Sequence, residues 1–330
     1  MKLSILIPTY NRCKDLEHNV ATLTSFIADL PNPEDVCIII SDNASTDDTN
    51  SIITKLKEKA LVNIQYLRQE TNIGYSKNVC ALMSVAQTDW VMLLGDDDYL
   101  EPWYIGECLK QIKEHPNLGC IIPNNIAYNP IMKKYGSTRE PADDSILYFN
   151  AGYEACLHTS YLGHSLSGLC FRNTDVIKKY RANKMNNLYP QIYFVAYNAL
   201  KFDVLHFMKV CLTVSDIPQT QKDWKYGDDG LINDIFENYK YLELTKKQRA
   251  QLEAEFLQND PRYEWTGNDK NLIIENILQG KNVSYLGRYY IAKQIVDRKD
   301  YNGRKLRIPL TTLVYWLKLK RGIKRFLKNK

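Results

Sequence analysis

Three consecutive aspartates, Asp96, Asp97 and Asp98, directly follow an apolar run at 90–94 (WVMLL). The run is typical of a buried strand, so the carboxylates stand where that strand ends. Burying like charges side by side is costly, because each raises the pKa of the other. A hard cation such as Mg²⁺ or Mn²⁺ would offset that cost and would also hold a diphosphate. The alternative interpretation is an ordinary turn, where aspartate is favoured by backbone hydrogen bonding.

Polar residues also follow the apolar runs at 3–7 and 36–40. Asp42 suits a carboxylate that accepts a hydrogen bond from the imide N–H of a uracil-like base, although an Asx turn before a helix is its ordinary alternative. Asp47 and Asp48 are interpreted as caps of that helix. The polar positions at these two strand ends are Pro8, Thr9, Tyr10, Asn11, Asp42 and Asn43.

The segment NIGYSKN at 72–78 joins a third predicted strand to a helix. Gly74 permits a close backbone approach, Lys77 would meet phosphate charge, and Asn78 would matter only if buried. A surface loop with an exposed lysine is the alternative. No G-x-G-x-x-G or G-x-x-x-x-G-K-[ST] pattern follows the first strand, which argues against dinucleotide and P-loop sites.

Candidates for a proton-accepting group are scattered. The five histidines are never at zinc spacings. His164, in the aromatic and glycine-rich segment YLGHSLSG, is the histidine kept as a candidate. Asp228 and Asp229, in WKYGDDG, are interpreted either as an acceptor-site loop or as a solvated turn. Asp203 is a further acid in the same half of the chain.

The elements that position these residues alternate in type. Strands are predicted at 3–7, 36–40, 62–67 and 90–94, with helices between them and near 102–115. A further strand is predicted at 119–123 and helices at 192–202 and 246–258, whereas 124–150 is less regular. Continuous apolar strands alternating with helices predict a mainly parallel α/β sheet, whose ligands bind beyond the carboxyl ends of the strands.

The predicted organisation has two regions. Residues 1–220 form an α/β domain with two parts, 1–125 and 126–220. Residues 221–330 form a helical C-terminal extension. The eight cysteines include no C-x-x-C pair and mostly lie in apolar runs, which favours free thiols in a reducing cytosol. No signal peptide or spanning segment is predicted.

The last segment is strongly basic. Residues 304–330 carry ten Lys/Arg and no acid, so the preceding residues sum to −5 of the overall +5. The helix predicted at 311–330 places Trp316, Leu319, Ile323 and Phe326 on one side and Lys318, Arg321, Arg325 and Lys328 largely opposite. Such a helix favours binding to an anionic membrane, with packing on the protein body as the alternative. The acidic remainder argues against nucleic-acid binding.

Four motifs in this order, SILIPTYN, SDNASTDDT, NIGYSKN and LLGDDDYLEP, resemble the inverting family-2 glycosyltransferases of the GT-A fold. The resemblance covers roughly residues 1–125, and the LGDDD form looks most like bacterial surface-polysaccharide transferases of the O-antigen abequosyltransferase-like type. It implies a nucleotide-diphosphate sugar donor, bound by the part at 1–125, and Mn²⁺ or Mg²⁺. It also implies a glycan or lipid-linked glycan acceptor, bound by the part at 126–220. The expected location is cytoplasmic, peripheral on the inner face of the cell membrane.

The resemblance also implies roles for individual residues. Asp42 would bind the base, and Lys77 and Asn78 would close the donor site, with Asn43 and Gly74 beside them. Asp97 matches the metal-binding acid of the D-x-D signature, with Asp98 as a second metal candidate and Asp96 on the donor side. Gly95 stands where the first aspartate is usual. The positions expected to line the nucleotide pocket are Pro8, Thr9, Tyr10 and Asn11.

The expected catalytic base is missing from its usual place. The family has an aspartate about ninety residues past the metal acid, at the start of a helix, but here the chain reads Tyr189-Pro190-Gln191. Gln191 cannot accept a proton. Asp228 or Asp229 is the first substitute, followed by His164 and Asp203.

Three rival functions were weighed. A nucleotidyltransferase would need a glycine-rich triphosphate loop after the first strand, which PTYNR does not supply. A catalytically weak sugar-nucleotide-binding scaffold fits the missing base. A peripheral membrane adaptor fits the basic terminal helix.

Overall fold

The computed structural model describes residues 2–216, 231–259 and 281–297, together with 311, 312, 314–316, 318, 319 and 323. The chain divides into two compact units, Met1–Lys225 and Tyr226–Lys330. Two sets of predicted residues lie outside the described part of the chain. They are the base candidates Asp228 and Asp229, and the terminal-helix positions Arg321, Arg325, Phe326 and Lys328.

One ten-stranded sheet organises the first unit. Its strands are β1 (Leu3–Thr9), β2 (Val36–Asp42), β3 (Asn63–Arg68), β4 (Trp90–Leu93), β5 (Tyr99–Leu100), β6 (Leu118–Asn129), β7 (Lys134–Thr138), β8 (Ile146–Phe149), β9 (Cys170–Arg172) and β10 (Asp203–Ser215). The order is β3-β2-β1-β4-β9-β6-β10-β5, with β7 on β6 and β8 on β10.

The first four strands of this order are parallel to one another, as the sequence predicts. β1 and β2 are buried along their whole length, because apolar side chains cover both faces of a parallel strand. Thr9 stands opposite Asp42 in register. The carboxyl ends of β1, β2 and β4 therefore meet at one edge, here called the carboxyl edge.

Helices flank the sheet of the first unit. They are α1 (Cys13–Ala28), α2 (Thr49–Lys59), α3 (Tyr75–Val85), α4 (Tyr104–Glu114), α5 (Tyr153–Thr159), α6 (Val176–Ala182) and α7 (Pro190–Ala199). α1 shows why they form: its buried apolar residues recur at helical spacing and pack into the main core. They are Leu16, Val20, Leu23 and Ile27.

The sheet beyond β4 departs from the sequence prediction. β9 is antiparallel to both β4 and β6, and β10 is parallel to β6, so β6 and β10 end at the carboxyl edge. β6 continues past the predicted 119–123 to Asn129, and the region expected to be irregular also holds β7 and β8. Residues 203–215, for which the sequence analysis predicts no element, form the long strand β10.

The described part of the second unit is helical: α8 (Leu231–Lys240), α9 (Lys246–Asn259) and α10 (Tyr285–Asp297). Thr245 caps α9 as predicted, because its hydroxyl accepts a hydrogen bond from the Gln248 N–H at 3.2 Å and the Gln248 Oε1 accepts one from the Thr245 N–H at 3.0 Å. The buried Glu253 accepts hydrogen bonds from Arg249 at 2.8 Å and Ser284 at 2.6 Å. Within the described residues, no helix is both long and apolar enough to cross a bilayer.

Candidate active site at the carboxyl edge

The three aspartates lie at the carboxyl edge after β4, and their side chains point to different partners. Asp96 Oδ2 accepts a hydrogen bond from Thr9 Oγ1 at 2.7 Å. Asp97 is paired with Arg12, whose Nη1 also lies 3.9 Å from Asp96 Oδ1. Arg12 is the residue that follows PTYN, and it supplies the positive charge nearest to the triplet. No role is predicted for Arg12 from the sequence, although it directly follows the motif.

Asp98 is fully engaged with the protein. Its Oδ2 accepts a hydrogen bond from the Ser167 hydroxyl, and its Oδ1 accepts one from the Ser215 N–H at 2.8 Å. Ser167 Oγ also accepts a hydrogen bond from the Gly95 N–H at 2.8 Å. Both oxygens of Asp98 thus already accept hydrogen bonds that fasten distant segments to the acid loop, and its role as a metal ligand stays a prediction.

The backbone of the acid loop is held from α1. Asn19, itself buried, donates its Nδ2 to the carbonyl oxygens of Gly95 and Asp98, each at 2.9 Å. Gly95, which replaces the usual first aspartate, has a packing reason to be glycine. A Cβ there would lie 2.9 Å from Asp98 Oδ2 and 3.2 Å from Ser167 Oγ.

The carboxylates carry crowded charge in a dry environment. Burial first, and then the charge of Asp97, raises the pKa of Asp96 and of Asp98 to about 7. A bound cation would relieve this repulsion. Mg²⁺ and Mn²⁺ commonly use one or two carboxylates and complete their shell with phosphate and water.

Asp97 fits that donor set, because its side chain is 23% exposed and its observed partner is a cation. Asp96 lies beside it with a 10% exposed side chain. No group of three acid, histidine or cysteine side chains in the described residues converges in a metal-holding arrangement. A metal held by Asp97, with Asp96 adjacent, would therefore depend on donor phosphates.

Asp42 lies at the end of β2 and is inaccessible to solvent. Its Oδ1 accepts a hydrogen bond from the Ser45 N–H at 2.8 Å, and its Oδ2 accepts one from the Tyr66 hydroxyl at 2.8 Å. Arg68 Nε lies 3.8 Å from the same Oδ2. The Asx-turn hydrogen bond from Ser45 and the contacts from β3 are thus both present. A nucleotide base would reach this carboxylate only beside Tyr66 and Arg68. No role is predicted for these two residues from the sequence.

The loops of β1 and β2 are joined through the predicted asparagines. Asn11, at a φ of 53° that asparagine tolerates, accepts a hydrogen bond from the Thr46 N–H at 2.7 Å. Asn43 donates to Asn72 Oδ1 at 2.8 Å and accepts from the Ile73 N–H at 2.9 Å. Pro8 and Thr9 are buried, and Tyr10 is half-buried. These contacts bring the three loops of the predicted donor pocket together.

The loop before α3 orders Gly74 and Asn78 around an exposed lysine. Gly74 has a φ of 84°, which favours glycine, and its N–H donates to Asn72 Oδ1 at 2.9 Å. Asn78 is buried against β2: it donates to the Ser41 carbonyl at 2.9 Å and accepts from the Ser41 hydroxyl at 2.6 Å. Lys77 is exposed. Asn78 thus has a structural role, while Lys77 remains accessible to a ligand.

Among the described base candidates, His164 lies near the acid loop. Its ring packs on that of Tyr189, with centroids 4.8 Å apart. Burial first, and then the neighbouring Tyr189 and Asp98, raises the pKa of Tyr75. Tyr189 and Asp98 are therefore both near Tyr75. Ser167, three residues after His164, binds Asp98, so the imidazole belongs to the same neighbourhood.

The first turn of α7 is where the resemblance implies a catalytic aspartate. α7 begins at Pro190, two residues before the predicted start, so Gln191 lies in its first turn. Gln191 is 2% exposed, its Nε2 donates to the His164 carbonyl at 3.4 Å, and its Oε1 has no hydrogen-bond partner within the described residues. The start of α7 lies close to Gly163. A Cβ on that glycine would lie 2.9 Å from the Ile192 Cα.

Asp203 is in the wrong place for the predicted role. It begins β10, and Ser215, which binds Asp98, ends that strand. A strand of this length spans roughly 40 Å, so Asp203 lies towards the opposite edge of the sheet. There it accepts hydrogen bonds from Tyr148 and from the Ala151 N–H. Burial opposes its ionisation, but these hydrogen bonds lower its pKa.

Known proteins are similar to part of this sequence. Abequosyltransferase RfbV of Salmonella typhimurium is 36% identical over 104 residues, covering 30% of this chain and 29% of that protein. Poly(ribitol-phosphate) beta-N-acetylglucosaminyltransferase TarS of Staphylococcus aureus is 30% identical over 118 residues, covering 35% of this chain and 19% of that protein. The chain thus spans less than a third of the length of either relative.

The fold likeness is broader. The crystal structure of S. aureus TarS 1–349 in complex with UDP-GlcNAc matches with a TM-score of 0.64 at 17% identity, covering 97% of this chain and 88% of that one. This shows the GT-A fold that the four motifs predicted. The family model for glycosyl transferase family 2 matches residues 4–170, half of the chain. The chain with its acid triplet at the carboxyl edge belongs to glycosyl transferase family 2.

Proposed function

We propose that this protein is a metal-dependent inverting glycosyltransferase. It moves a sugar from a nucleotide-diphosphate sugar to a hydroxyl of a glycan acceptor, lipid-linked at the inner membrane face, in bacterial surface-polysaccharide synthesis. The observation that carries the proposal is the position of Asp97: it is the most accessible acid of the triplet, and its partner is already a cation. The fold match to TarS bound to UDP-GlcNAc supports a nucleotide-sugar donor.

The residues of the carboxyl edge divide the work. Asp97 holds Mn²⁺ or Mg²⁺, with Asp96 beside it, and the bound cation supplies charge neutralisation for the leaving diphosphate. Arg12 and Lys77 add positive charge near the phosphates. Asp42, ringed by Tyr66 and Arg68, meets the base.

The acceptor hydroxyl must lose a proton as it attacks the anomeric carbon from the side opposite the diphosphate. A base must come within about 3 Å of that hydroxyl. Asp228 and Asp229 are one source of this base, and they lie outside the described residues. His164 is the other, and its placement beside Tyr189 supports it. Turnover lost in His164→Gln but retained in Asp228→Asn and Asp229→Asn would assign the role to the imidazole.

The test of the proposal is Asp97→Asn. Because the amide has no charge to hold the cation, we expect turnover of sugar nucleotides to fall by three orders of magnitude or more, corresponding to about 4 kcal/mol of lost transition-state stabilisation. Thermal shifts with UDP, GDP and other nucleotides, each with and without Mn²⁺, would show in parallel whether metal-dependent donor binding is lost.

Asp98→Ala is the matched comparison. It removes acceptors for Ser167 and Ser215, so we expect it to lower the free energy of unfolding by about 2 kcal/mol, whereas Asp97→Asn leaves folding nearly unchanged. Full turnover in Asp97→Asn, or full turnover of the wild type in chelator, would contradict the proposed metal role.

A second candidate function is a sugar-nucleotide-binding scaffold with little catalysis. The observation in its favour is Gln191, an amide in the first turn of α7 where the family has an acid. Purified protein that binds a nucleotide sugar but neither transfers nor slowly hydrolyses it would favour the scaffold.

A further inference from the structure

A β-hairpin extends from the sheet of the first unit where β6 turns into β7. Residues 130–135 (PIMKKY), which are the turn and the first two residues of β7, are here called the hairpin tip. Asn129 Oδ1 accepts hydrogen bonds from the N–H groups of Ile131, at 3.0 Å, and Met132, at 2.9 Å. The tip is therefore a defined turn whose shape is set by a side chain of its own strand.

Large apolar side chains are displayed at this turn. Ile131 is 61% exposed, Met132 68% and Tyr135 59%. Water contact with such a group of neighbouring apolar side chains is unfavourable, and soluble proteins keep exposed patches for binding. The Tyr135 ring lies 5.0 Å from that of Tyr128 on β6, so the aromatic part of the patch is ordered.

The charge at the tip has one sign. Lys133 and Lys134 are exposed, and no acid occurs between Tyr128 and Thr138. Apolar side chains beside lysines and tyrosines suit the boundary between acyl chains and anionic headgroups, where each group finds its own environment. A protein partner could offer an apolar pocket, but two adjacent lysines at the turn favour a surface of uniform negative charge.

The hairpin tip lies at the functional edge of the sheet. β6 ends at the carboxyl edge beside β10, and the Asp216 N–H donates to the Tyr128 carbonyl at 2.8 Å. One residue earlier, the Ser215 N–H binds Asp98. A surface touching the tip would thus face the same side of the first unit as the acid triplet.

We propose that the hairpin tip docks on an anionic lipid bilayer, with Ile131 and Met132 entering the headgroup boundary and Lys133 and Lys134 pairing with lipid phosphates. This contact concerns the first unit alone and does not involve the basic terminal segment. Only the side of the membrane rests on the proposed function, because a lipid-linked acceptor would be presented on that side. Docking itself needs neither donor nor acceptor.

The test is vesicle flotation of the full chain with phosphatidylcholine vesicles, with and without phosphatidylglycerol. We expect Ile131→Ser/Met132→Ser and Lys133→Glu/Lys134→Glu each to weaken binding to the anionic vesicles about tenfold or more, since each lysine near the surface is worth roughly 1 kcal/mol. Ile146→Ser/Leu147→Ser is the apolar control, because these residues are each 41% exposed on β8. Lys57→Glu/Lys59→Glu, on α2, is the charge control.

Insertion is measured separately with Met132→Trp, whose fluorescence should be quenched by brominated phosphatidylcholine in anionic vesicles. Leu61→Trp is the matched control, because Leu61 is 94% exposed and precedes β3 at the edge opposite the carboxyl edge. Equal quenching of both tryptophans, or unchanged flotation of both tip variants, would overturn the proposal. A tip variant that loses self-association or capture of a protein while vesicle binding persists would overturn it in favour of a protein partner. Donor binding measured on the same variants keeps this outcome distinct from failure of the proposed catalytic role.

Discussion

Arg12 places a positive charge beside two carboxylates of the acid loop, Asp96 and Asp97. Its guanidinium pairs with Asp97 and lies 3.9 Å from Asp96, while the flanking carboxylates are bound to Thr9, Ser167 and Ser215. A divalent ion at Asp97 would meet this guanidinium and must displace it or share the carboxylate. If Asp97 holds the metal as proposed, Arg12 would compete with the ion for this carboxylate until a donor diphosphate offers the guanidinium another anion.

Replacing Arg12 by glutamine should tighten Mn²⁺ binding to the nucleotide-free protein. Two neighbouring opposite charges of this kind are worth about 1–2 kcal/mol when partly screened, so the expected gain is roughly five- to thirtyfold in affinity. Isothermal calorimetry with Mn²⁺ alone measures it. Lys2→Gln, which removes the surface pair with Asp35, is the control and should leave the affinity unchanged. Weaker metal binding in the arginine variant would show that the guanidinium does not compete with the ion.

At the scale of elements, the parallel strands β1 to β4 were predictable because each is an unbroken apolar run. β10 was not, since His206 and Lys209 interrupt its apolar pattern and the strand is held by pairing with β6 on one side and β8 on the other. The residues of the candidate site also divide into those that the local sequence predicts and those that it does not. Asp97 and Thr9 belong to local motifs, whereas Ser167 and Ser215 reach Asp98 from remote segments, a juxtaposition that only tertiary packing creates.

His206 is a buried histidine on β10 whose protonation should affect stability. It is 4% exposed, and its Nε2 has no hydrogen-bond partner among the described residues. Burial, and next the charge of Arg139, lowers its pKa from 6.5 to about 4. Below pH 6.5 the imidazole is protonated in the unfolded chain but not in the native protein. The free energy of unfolding therefore falls as the pH is lowered from 6.5 to about 4.

His206→Leu should remove this pH dependence. Relative to the variant, the wild type should lose up to about 3 kcal/mol of unfolding free energy as pH falls from 6.5 to 4. Urea unfolding of both proteins across that range measures the difference, and comparison at each pH cancels the titration of Asp96 and Asp98. A constant difference would mean that the pKa of the imidazole is the same in the native and unfolded states.

At the scale of the whole molecule, the charge is divided along the chain. Residues 304–330 hold ten cations, while the rest is net acidic. The described positions of this segment include apolar side chains open to solvent: Trp316 is 50% exposed, Leu319 65% and Ile323 52%. These residues recur at helical spacing, which supports the proposal that the segment binds an anionic membrane surface.

Charge reversal in the full chain, Lys318→Glu/Arg321→Glu/Arg325→Glu, should weaken binding to phosphatidylglycerol vesicles by two orders of magnitude or more, at about 1 kcal/mol for each lost cation. Flotation at increasing salt measures the electrostatic part, because the Debye length falls to about 3 Å at 1 M. The α2 variant Lys57→Glu/Lys59→Glu again serves as control. Binding that survives both the reversal and high salt would assign the contact to apolar groups elsewhere.

The close approach of Gly163 to α7 has a practical consequence for redesigning acceptor choice. Any side chain at 163 would collide with the Ile192 backbone, so the glycine or α7 would have to shift. Libraries aimed at new acceptors should therefore hold that glycine constant, and with it Gln191, whose amide donates to the His164 carbonyl across the same contact.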